Sequence, residues 1–295
     1  MLAEFFIQNP PEEQEGGFYR RIPDHDFRSA ICYAPGVSDL KEKIVLVTGG
    51  ARGLGRALAG AFARAGSRVV IASRSAENLR ATTRELSGAD RRVLAWPCDV
   101  SDSKQVEVLG SAIREEWGAV QILINNAGVA RAMSFLEMPD SLWHETLQTN
   151  LTGVYNCCKV FLPEMLASGW GRIINIASTT GKVGYSHVTA YSASKHGVLG
   201  LTRSLALETA RQNITVNAIC PGYLDTELTR ENARRMAETT GKTVDAILAL
   251  FAKTAPQNRL IDPEEVASLA VFLAGEKCAG ITGQAINVDG GAVMV

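Results

Sequence analysis

The chain has 295 residues, a net charge of −1 at pH 7 and a pI near 6.5, so it lacks the basic field that nucleic-acid binding requires. No apolar run approaches the roughly 20 residues that cross a bilayer, and the acidic residues near the N-terminus make a poor targeting signal. We therefore expect a cytoplasmic protein without nucleic-acid or membrane partners, and the six cysteines, which show no metal-ligand spacing, predict reduced, buried thiols and no metal site.

Residues 1–42 are predicted to form an N-terminal extension. They mix aromatic residues, prolines, glycines and charges without a steady period. A disordered tail is usually poorer in aromatic residues. This composition favours an irregular arm and leaves open whether it docks on the body or on a neighbouring subunit.

From Lys43 onward, apolar strands alternate with amphipathic helices. The predicted strands cover residues 44–48, 68–73, 92–96, 120–124, 173–177, 214–219 and 285–288. Helices are predicted at 56–65, 77–86, 102–117, 142–168, from Tyr191 to about 212, within 225–257, and at 263–274. This alternation predicts one α/β domain over residues 43–295, a Rossmann-type doubly wound parallel sheet of about seven strands with helices on both faces. Ligands of such sheets bind at the carboxyl ends of the strands.

A glycine-rich turn follows the first strand and opens the first helix. Gly49, Gly53 and Gly55 let the backbone approach a pyrophosphate, and a helix N-terminus offers free N–H groups. The turn lacks the Lys-Ser/Thr ending of an ATP-binding P-loop. We predict that this turn, including Arg52 and Leu54, holds a dinucleotide.

The end of the second strand favours NADP(H) over NAD(H). An NAD site usually has an acidic residue there for the ribose 2′-hydroxyl, whereas this chain has Ser73 and Arg74. Arg52 of the glycine turn can reach the same place. Two guanidinium groups suit a 2′-phosphate, which a carboxylate would repel.

A serine and a tyrosine–lysine pair are the candidate catalytic groups. Ser178 stands at the end of the fifth strand, and Tyr191 and Lys195 are four residues apart, which places them on one face of a helix. A neutral tyrosine can donate a proton to a carbonyl oxygen, and a nearby ammonium lowers the pKa of the phenol. Ser178 can hold the substrate oxygen by a hydrogen bond.

The Tyr-x3-Lys spacing occurs a second time, at Tyr155 and Lys159. This pair lies inside a long helical region, and no serine precedes it at a strand end. We interpret Tyr155 and Lys159 as structural.

Together, these motifs resemble those of the classical short-chain dehydrogenase/reductase family. The match runs from the glycine turn through an Asn-Asn-Ala-Gly turn after the fourth strand and the Ser178, Tyr191 and Lys195 set to a Pro-Gly loop after the sixth strand. The resemblance implies a cofactor site that also includes Asp99, Val100, Asn126, Ala127, Gly128, Pro221, Gly222, Leu224 and Thr226, together with Tyr191 and Lys195.

The resemblance also implies a fourth catalytic residue and an oligomer. Asn150 would hold a water that relays protons from Lys195, although the sequence alone places it in a helix. A homotetramer (or dimer) is implied, with the helices that carry Tyr155 and Tyr191 in the subunit interface. Residues 1–42 have no counterpart in the common pattern.

The motifs look most like those of ketoreductases that act on 3-oxoacyl thioesters. Related 3-hydroxybutyrate dehydrogenases usually carry a histidine and a lysine where this chain has Thr180 and Val188, so a small free acid is disfavoured. Residues 225–257 are predicted to form a lid over an apolar pocket. A sugar, polyol or steroid-type dehydrogenase is the alternative enzyme, and a non-catalytic cofactor-binding protein is the alternative from another class.

Overall fold

The computed structural model describes residues 37–86 and 92–295. Seven parallel strands form one sheet, with bounds β1 Ile44–Thr48, β2 Arg68–Ser73, β3 Val93–Pro97, β4 Ile122–Asn125, β5 Gly171–Ile176, β6 Ile214–Pro221 and β7 Ala285–Val288. Their spatial order is β3-β2-β1-β4-β5-β6-β7. The order therefore reverses between β1 and β4, which is the switch point where doubly wound sheets bind ligands.

Nine longer helices are seen in the part of the chain that the structure describes. They are α1 Gly53–Arg64, α2 Ala76–Leu86, α3 Ser103–Glu116, α4 Asp140–Leu147, α5 Gly153–Ser168, α6 Thr189–Thr209, α7 Glu227–Thr240, α8 Val244–Ala252 and α9 Pro263–Ala274. The prediction of a doubly wound parallel sheet of about seven strands is confirmed. Most boundaries agree with the predicted ones to within two residues, as expected where helix and strand ends fray.

Alternation along the strands divides the core between the two faces of the sheet. In β1, Val45 and Val47 pack with residues of α1 and α9, whereas Ile44 and Leu46 pack with residues of α3, α5 and α6. Successive side chains of a strand point to opposite faces. Because both faces are covered, most side chains within the strands are apolar, and the polar side chains of Thr48 and Asn125 stand at the carboxyl ends of β1 and β4.

The predicted helix over residues 142–168 is interrupted. A π-helical turn, Gln148–Thr152, joins α4 to α5, and the N–H of Gly153 donates to the carbonyl of Gln148 five residues earlier. Asn150 lies within this turn and is fully buried. Such π turns often occur at functional sites, and a regular 3.6-residue pattern does not reveal them.

The last residues of the predicted extension belong to the packed body. Val37–Leu40 forms a 3-10 turn, the side chain of Leu40 is buried in the core, and the Ser67 hydroxyl donates to the Leu40 carbonyl. The rest of the predicted arm, residues 1–36, lies outside the described residues.

The described residues also bear on the predictions about cysteines, metal sites and membrane-spanning segments. The cysteines within the described ranges, Cys98, Cys157, Cys158, Cys220 and Cys278, are buried and unpaired, while Cys32 lies outside those ranges. In the same ranges, no group of three or more histidine, cysteine or acidic side chains could hold a metal ion. None of the helices described is both long and apolar enough to span a membrane.

Candidate active site

Side-chain hydrogen bonds join the ends of β1 and β4 at the switch point. The Thr48 hydroxyl accepts from the backbone N–H groups of Asn126 (3.0 Å) and Ala127 (3.1 Å). The Asn126 amide donates to the carbonyls of Thr48 (3.0 Å) and Gly49 (3.2 Å). The glycine turn is thereby fixed against the Asn-Asn-Ala-Gly turn, and the two predicted cofactor segments lie side by side.

The glycine turn has the shape of a phosphate cradle. Gly49 and Gly53 have φ angles of +65° and +50°, a conformation that favours glycine. A Cβ on Gly55 would stand 2.0 Å from the carbonyl oxygen of Gly49. The N-cap residue of α1, Arg52, makes no side-chain hydrogen bond to the free N–H groups of the first turn. These open donors at a helix N-terminus fit a pyrophosphate.

Both arginines assigned to the 2′-phosphate face carboxylates. Arg52 donates to Glu231 of α7 at 2.9 Å, and Arg74, which follows Ser73 at the end of β2, stands 4.0 Å from Asp99. Both arginine side chains are about half exposed. The pairing of Arg52 with the lid region was not anticipated from the sequence.

The segment after β3 is built around Asp99 and Val100. One oxygen of Asp99 accepts from the backbone N–H (3.0 Å) and the hydroxyl (2.7 Å) of Ser101. The carbonyl of Val100 accepts from the Asn156 amide at 2.9 Å. This fixes the segment, which was predicted to contact the cofactor, at the carboxyl edge of the sheet.

The Pro221-Gly222 loop connects the sheet to the lid region. The N–H of Gly222 donates to the Val288 carbonyl at 3.1 Å, and Leu224 forms an isolated bridge with Ile261. Thr226 caps the N-terminus of α7 by accepting from the Thr229 N–H. The loop is thus held at both ends beside the edge of the sheet.

Ser178, Tyr191 and Lys195 come together at the carboxyl end of β5. Ser178 caps a short 3-10 turn, where its hydroxyl accepts from the Thr180 N–H at 3.2 Å. Lys195 is buried, and its Nζ donates to the carbonyl of Ile176 at 2.7 Å. The same Nζ lies 5.6 Å from the centre of the Tyr191 ring, so the four-residue spacing has placed both groups on one side of α6.

Burial is the largest cause of the pKa shifts of both Tyr191 and Lys195. It raises the pKa of Tyr191 to about 12, and a hydrogen bond from Ser178 opposes this shift only in part. Burial also lowers the pKa of Lys195 to about 8. Lys195 is not among the causes that shift the pKa of Tyr191, and the expectation that its ammonium lowers the phenol pKa stays a prediction.

The side chain of Asn150 is held by three hydrogen bonds to other parts of the protein. Its Oδ1 accepts from the Val129 N–H at 2.8 Å, and its Nδ2 donates to the Val129 carbonyl at 2.9 Å and to the Ser194 hydroxyl at 3.1 Å. These bonds tie the π turn to the segment after β4 and to α6. The amide of Asn150 is therefore fully engaged with protein groups.

The second Tyr-x3-Lys pair differs in its environment. Lys159 donates to the Tyr155 hydroxyl at 3.1 Å, but Tyr155 is 48% exposed. The hydrogen bond that Lys159 donates to Tyr155 raises the pKa of Lys159, the opposite direction to Lys195. The two pairs have the same residue spacing but differ in burial, because Lys195 is buried whereas Tyr155 is half exposed.

Sequence reasoning missed several residues around the site. Ser194 lies on α6 and connects this helix to Asn150. Its hydroxyl accepts from the Asn150 amide and donates to the Tyr191 carbonyl at 2.7 Å. Tyr223 stacks on Phe251 of α8 with ring centroids 4.4 Å apart, and burial and the nearby Tyr185 raise its pKa. The position of Tyr223 directly after the Pro-Gly motif was the signal that could have identified it.

The region that was predicted to form a lid contains two helices. α7 and α8 occupy most of residues 225–257 and pack against each other. Ile247 is buried, whereas Leu228, Met236 and Leu250 remain 37–41% exposed. The apolar residues of this region therefore divide between helix packing and an accessible surface.

Comparisons with known proteins agree with this geometry. A family model described as short chain dehydrogenase matches residues 43–237. A putative ketoacyl reductase of Streptomyces coelicolor is 39% identical over 251 residues, which cover 84% of this chain and 96% of that protein. A 3-oxoacyl acyl-carrier-protein reductase, FabG, of Vibrio harveyi is 38% identical over 258 residues, 87% of this chain and all of the relative (100%). The crystal structure of an actinorhodin polyketide ketoreductase with NADPH superposes with a TM-score of 0.82 at 39% identity, covering 85% of this chain and 97% of that chain.

Proposed function

Because the chain belongs to the short-chain dehydrogenase family, we propose that it is an NADP(H)-dependent reductase of 3-oxoacyl thioesters. It is an oxidoreductase that interconverts a ketone and a secondary alcohol. The names of the ketoacyl reductase relatives support the thioester substrate. The observation that carries the proposal is the buried Lys195 beside Tyr191 at the end of β5, next to an open glycine turn.

The cofactor would be held along the carboxyl edge of the sheet. The N–H groups of the α1 turn would bind the pyrophosphate, Arg52 and Arg74 the 2′-phosphate, and Asp99 and Val100 the adenine. The nicotinamide would lie toward the Pro221-Gly222 loop, and when bound it supplies or accepts the hydride. The NADPH in the related ketoreductase structure supports this assignment.

Three side chains would handle the proton and the substrate oxygen. Tyr191 is neutral at physiological pH because its pKa is about 12, so its hydroxyl can donate a proton to the carbonyl oxygen in the direction of reduction. Ser178 would hold the same oxygen by a hydrogen bond. Lys195, next to Tyr191, and a water on the Asn150 main chain would return a proton to the phenol.

The test compares the two tyrosines that share the Tyr-x3-Lys spacing. Tyr191→Phe is expected to reduce turnover by at least about a hundredfold, the usual range for general acid–base catalysis, while NADPH still binds. Tyr155→Phe is the matched control and should retain activity, because Tyr155 is on the exposed side of α5. NADPH oxidation would be followed with an acetoacetyl thioester, sugars, steroids and cyclic ketones.

Each outcome of this assay bears on a different part of the proposal. Turnover that persists in Tyr191→Phe would contradict the mechanism. Activity on a sugar or steroid with none on the thioester would overturn the substrate but leave the reaction class. NADPH binding without turnover on any ketone would favour the non-catalytic alternative.

A further inference from the structure

Two ion pairs connect the glycine turn to the lid helix α7. Arg52 donates to Glu231 at 2.9 Å, and Arg56 contacts Glu227 at 3.3 Å. The partners are 179 and 171 residues apart in the chain. The first pair uses the arginine that lies at the N-cap of α1, within the phosphate cradle.

The Arg56–Glu227 pair lines a polar cleft rather than a packed interface. A cleft of about 400 Å³ lies between α1, α7 and the N-terminus of α9, and charged side chains dominate its lining. Only Thr229 and Ala233 of α7 are buried. Little apolar contact is therefore available to hold α7 against the glycine turn, so the ion pairs form much of the connection there.

From this arrangement we infer that Glu231 competes with the 2′-phosphate of NADP(H) for Arg52 and thereby determines cofactor preference and the attachment of α7. The inference rests on the proposed assignment of Arg52 to the 2′-phosphate. A phosphate brought to Arg52 would meet the Glu231 carboxylate, and two anions beside one guanidinium repel each other. The doubly charged phosphate binds arginine more strongly than an exposed carboxylate does, so Glu231 is displaced.

This exchange affects the two cofactors differently. NAD(H) has a 2′-hydroxyl in place of the phosphate and leaves the Arg52–Glu231 pair intact. NADP(H) must break the pair, which leaves Arg56–Glu227 as the remaining ion pair between α1 and α7 and loosens the first two turns of α7. Glu231 therefore weakens the binding of NADP(H) but not that of NAD(H). It also couples the binding of NADP(H) to the mobility of α7.

The first test measures the dissociation constants of NADPH and NADH by protein fluorescence at low salt. In Glu231→Gln, NADPH is expected to bind about 2- to 5-fold more tightly, the range expected for an exposed ion pair, with NADH unchanged. The gain should shrink at high salt because exposed charges are screened. Glu238→Gln is the matched control, since Glu238 is exposed near the far end of the same helix. An unchanged ratio of NADPH to NADH affinity in Glu231→Gln would overturn the inference.

The second test follows hydrogen exchange of the α7 backbone. NADP⁺ should accelerate exchange in the first half of α7 of the wild-type protein, NAD⁺ should not, and Glu231→Gln without cofactor should already exchange faster. Slower exchange with NADP⁺ would refute the release of α7. If the wild type binds NADH more tightly than NADPH, the proposed cofactor is wrong, whereas a selective gain for NADPH in Glu231→Gln still supports the competition.

Discussion

At the scale of single residues, burial gives Lys195 its special character. An exposed lysine titrates near pH 10, but the Nζ of Lys195 lies inside the protein with the Ile176 carbonyl as its acceptor. Desolvation disfavours the ammonium, and the pKa falls to about 8. Lys159, with the same spacing from a tyrosine, has its pKa shifted upward by the hydrogen bond that it donates to Tyr155. A tyrosine and a lysine four residues apart thus form a pair with shifted pKa values at Tyr191 and Lys195 and a surface hydrogen bond at Tyr155 and Lys159.

A pH profile tests the role of Lys195. At saturating NADPH, kcat/KM for ketone reduction should be constant near neutral pH and fall above about pH 8, where the ammonium loses its proton. The pKa of Tyr191, which burial raises to about 12, lies well above this range. Lys195→Arg should be less active but show no fall up to about pH 10, since guanidinium stays charged. A wild-type profile that is flat from pH 7 to 10 would contradict the assignment.

At the scale of elements, one aromatic stack connects α8 to the loop that follows β6. Tyr223 lies in the loop after β6 and Phe251 on α8, and their rings are parallel to within 2°. Such pairs contribute about 0.5–1.5 kcal/mol beyond the area they bury. This stack and the ion pairs of α7 hold the two lid helices at different points, so their loss should have different effects.

Phe251→Ala should therefore weaken substrate binding rather than chemistry. Losing the stack is expected to raise KM for the best ketone of the panel about 2- to 10-fold, with a smaller change in kcat. Leu250→Ala is a suitable control, because the neighbouring Leu250 is 41% exposed. A fall in kcat with KM unchanged would instead show that Phe251 acts on the reacting groups.

At the scale of the whole molecule, apolar side chains remain exposed on α5 and α6. Leu207 on α6 is 82% exposed, and Tyr155 and Leu166 on α5 are 48% and 42% exposed. An exposed leucine gains about 1.5–3 kcal/mol when it becomes buried. This pattern supports the proposed homotetramer in which these two helices form a subunit interface.

The oligomer is tested by light scattering on the eluting protein. The wild type is expected to have four times the chain mass of 31.7 kDa, and Leu207→Glu should yield smaller species, because a buried carboxylate is costly. Val108→Glu serves as the control, since Val108 is 58% exposed but lies on α3. A monomeric wild type would contradict the proposal.

The sequence by itself determined the sheet and the order of the site segments. Continuous apolar strands and amphipathic helices have local periods, so β1 to β7 and the turns that follow them could be predicted from neighbouring residues. The tertiary structure decided what depends on distant residues: the engagement of the Asn150 amide by Val129, the pairing of Arg52 with Glu231, and the raised pKa of Tyr191. Burial and ion pairing arise from contacts between segments far apart in the chain, and no local pattern encodes them.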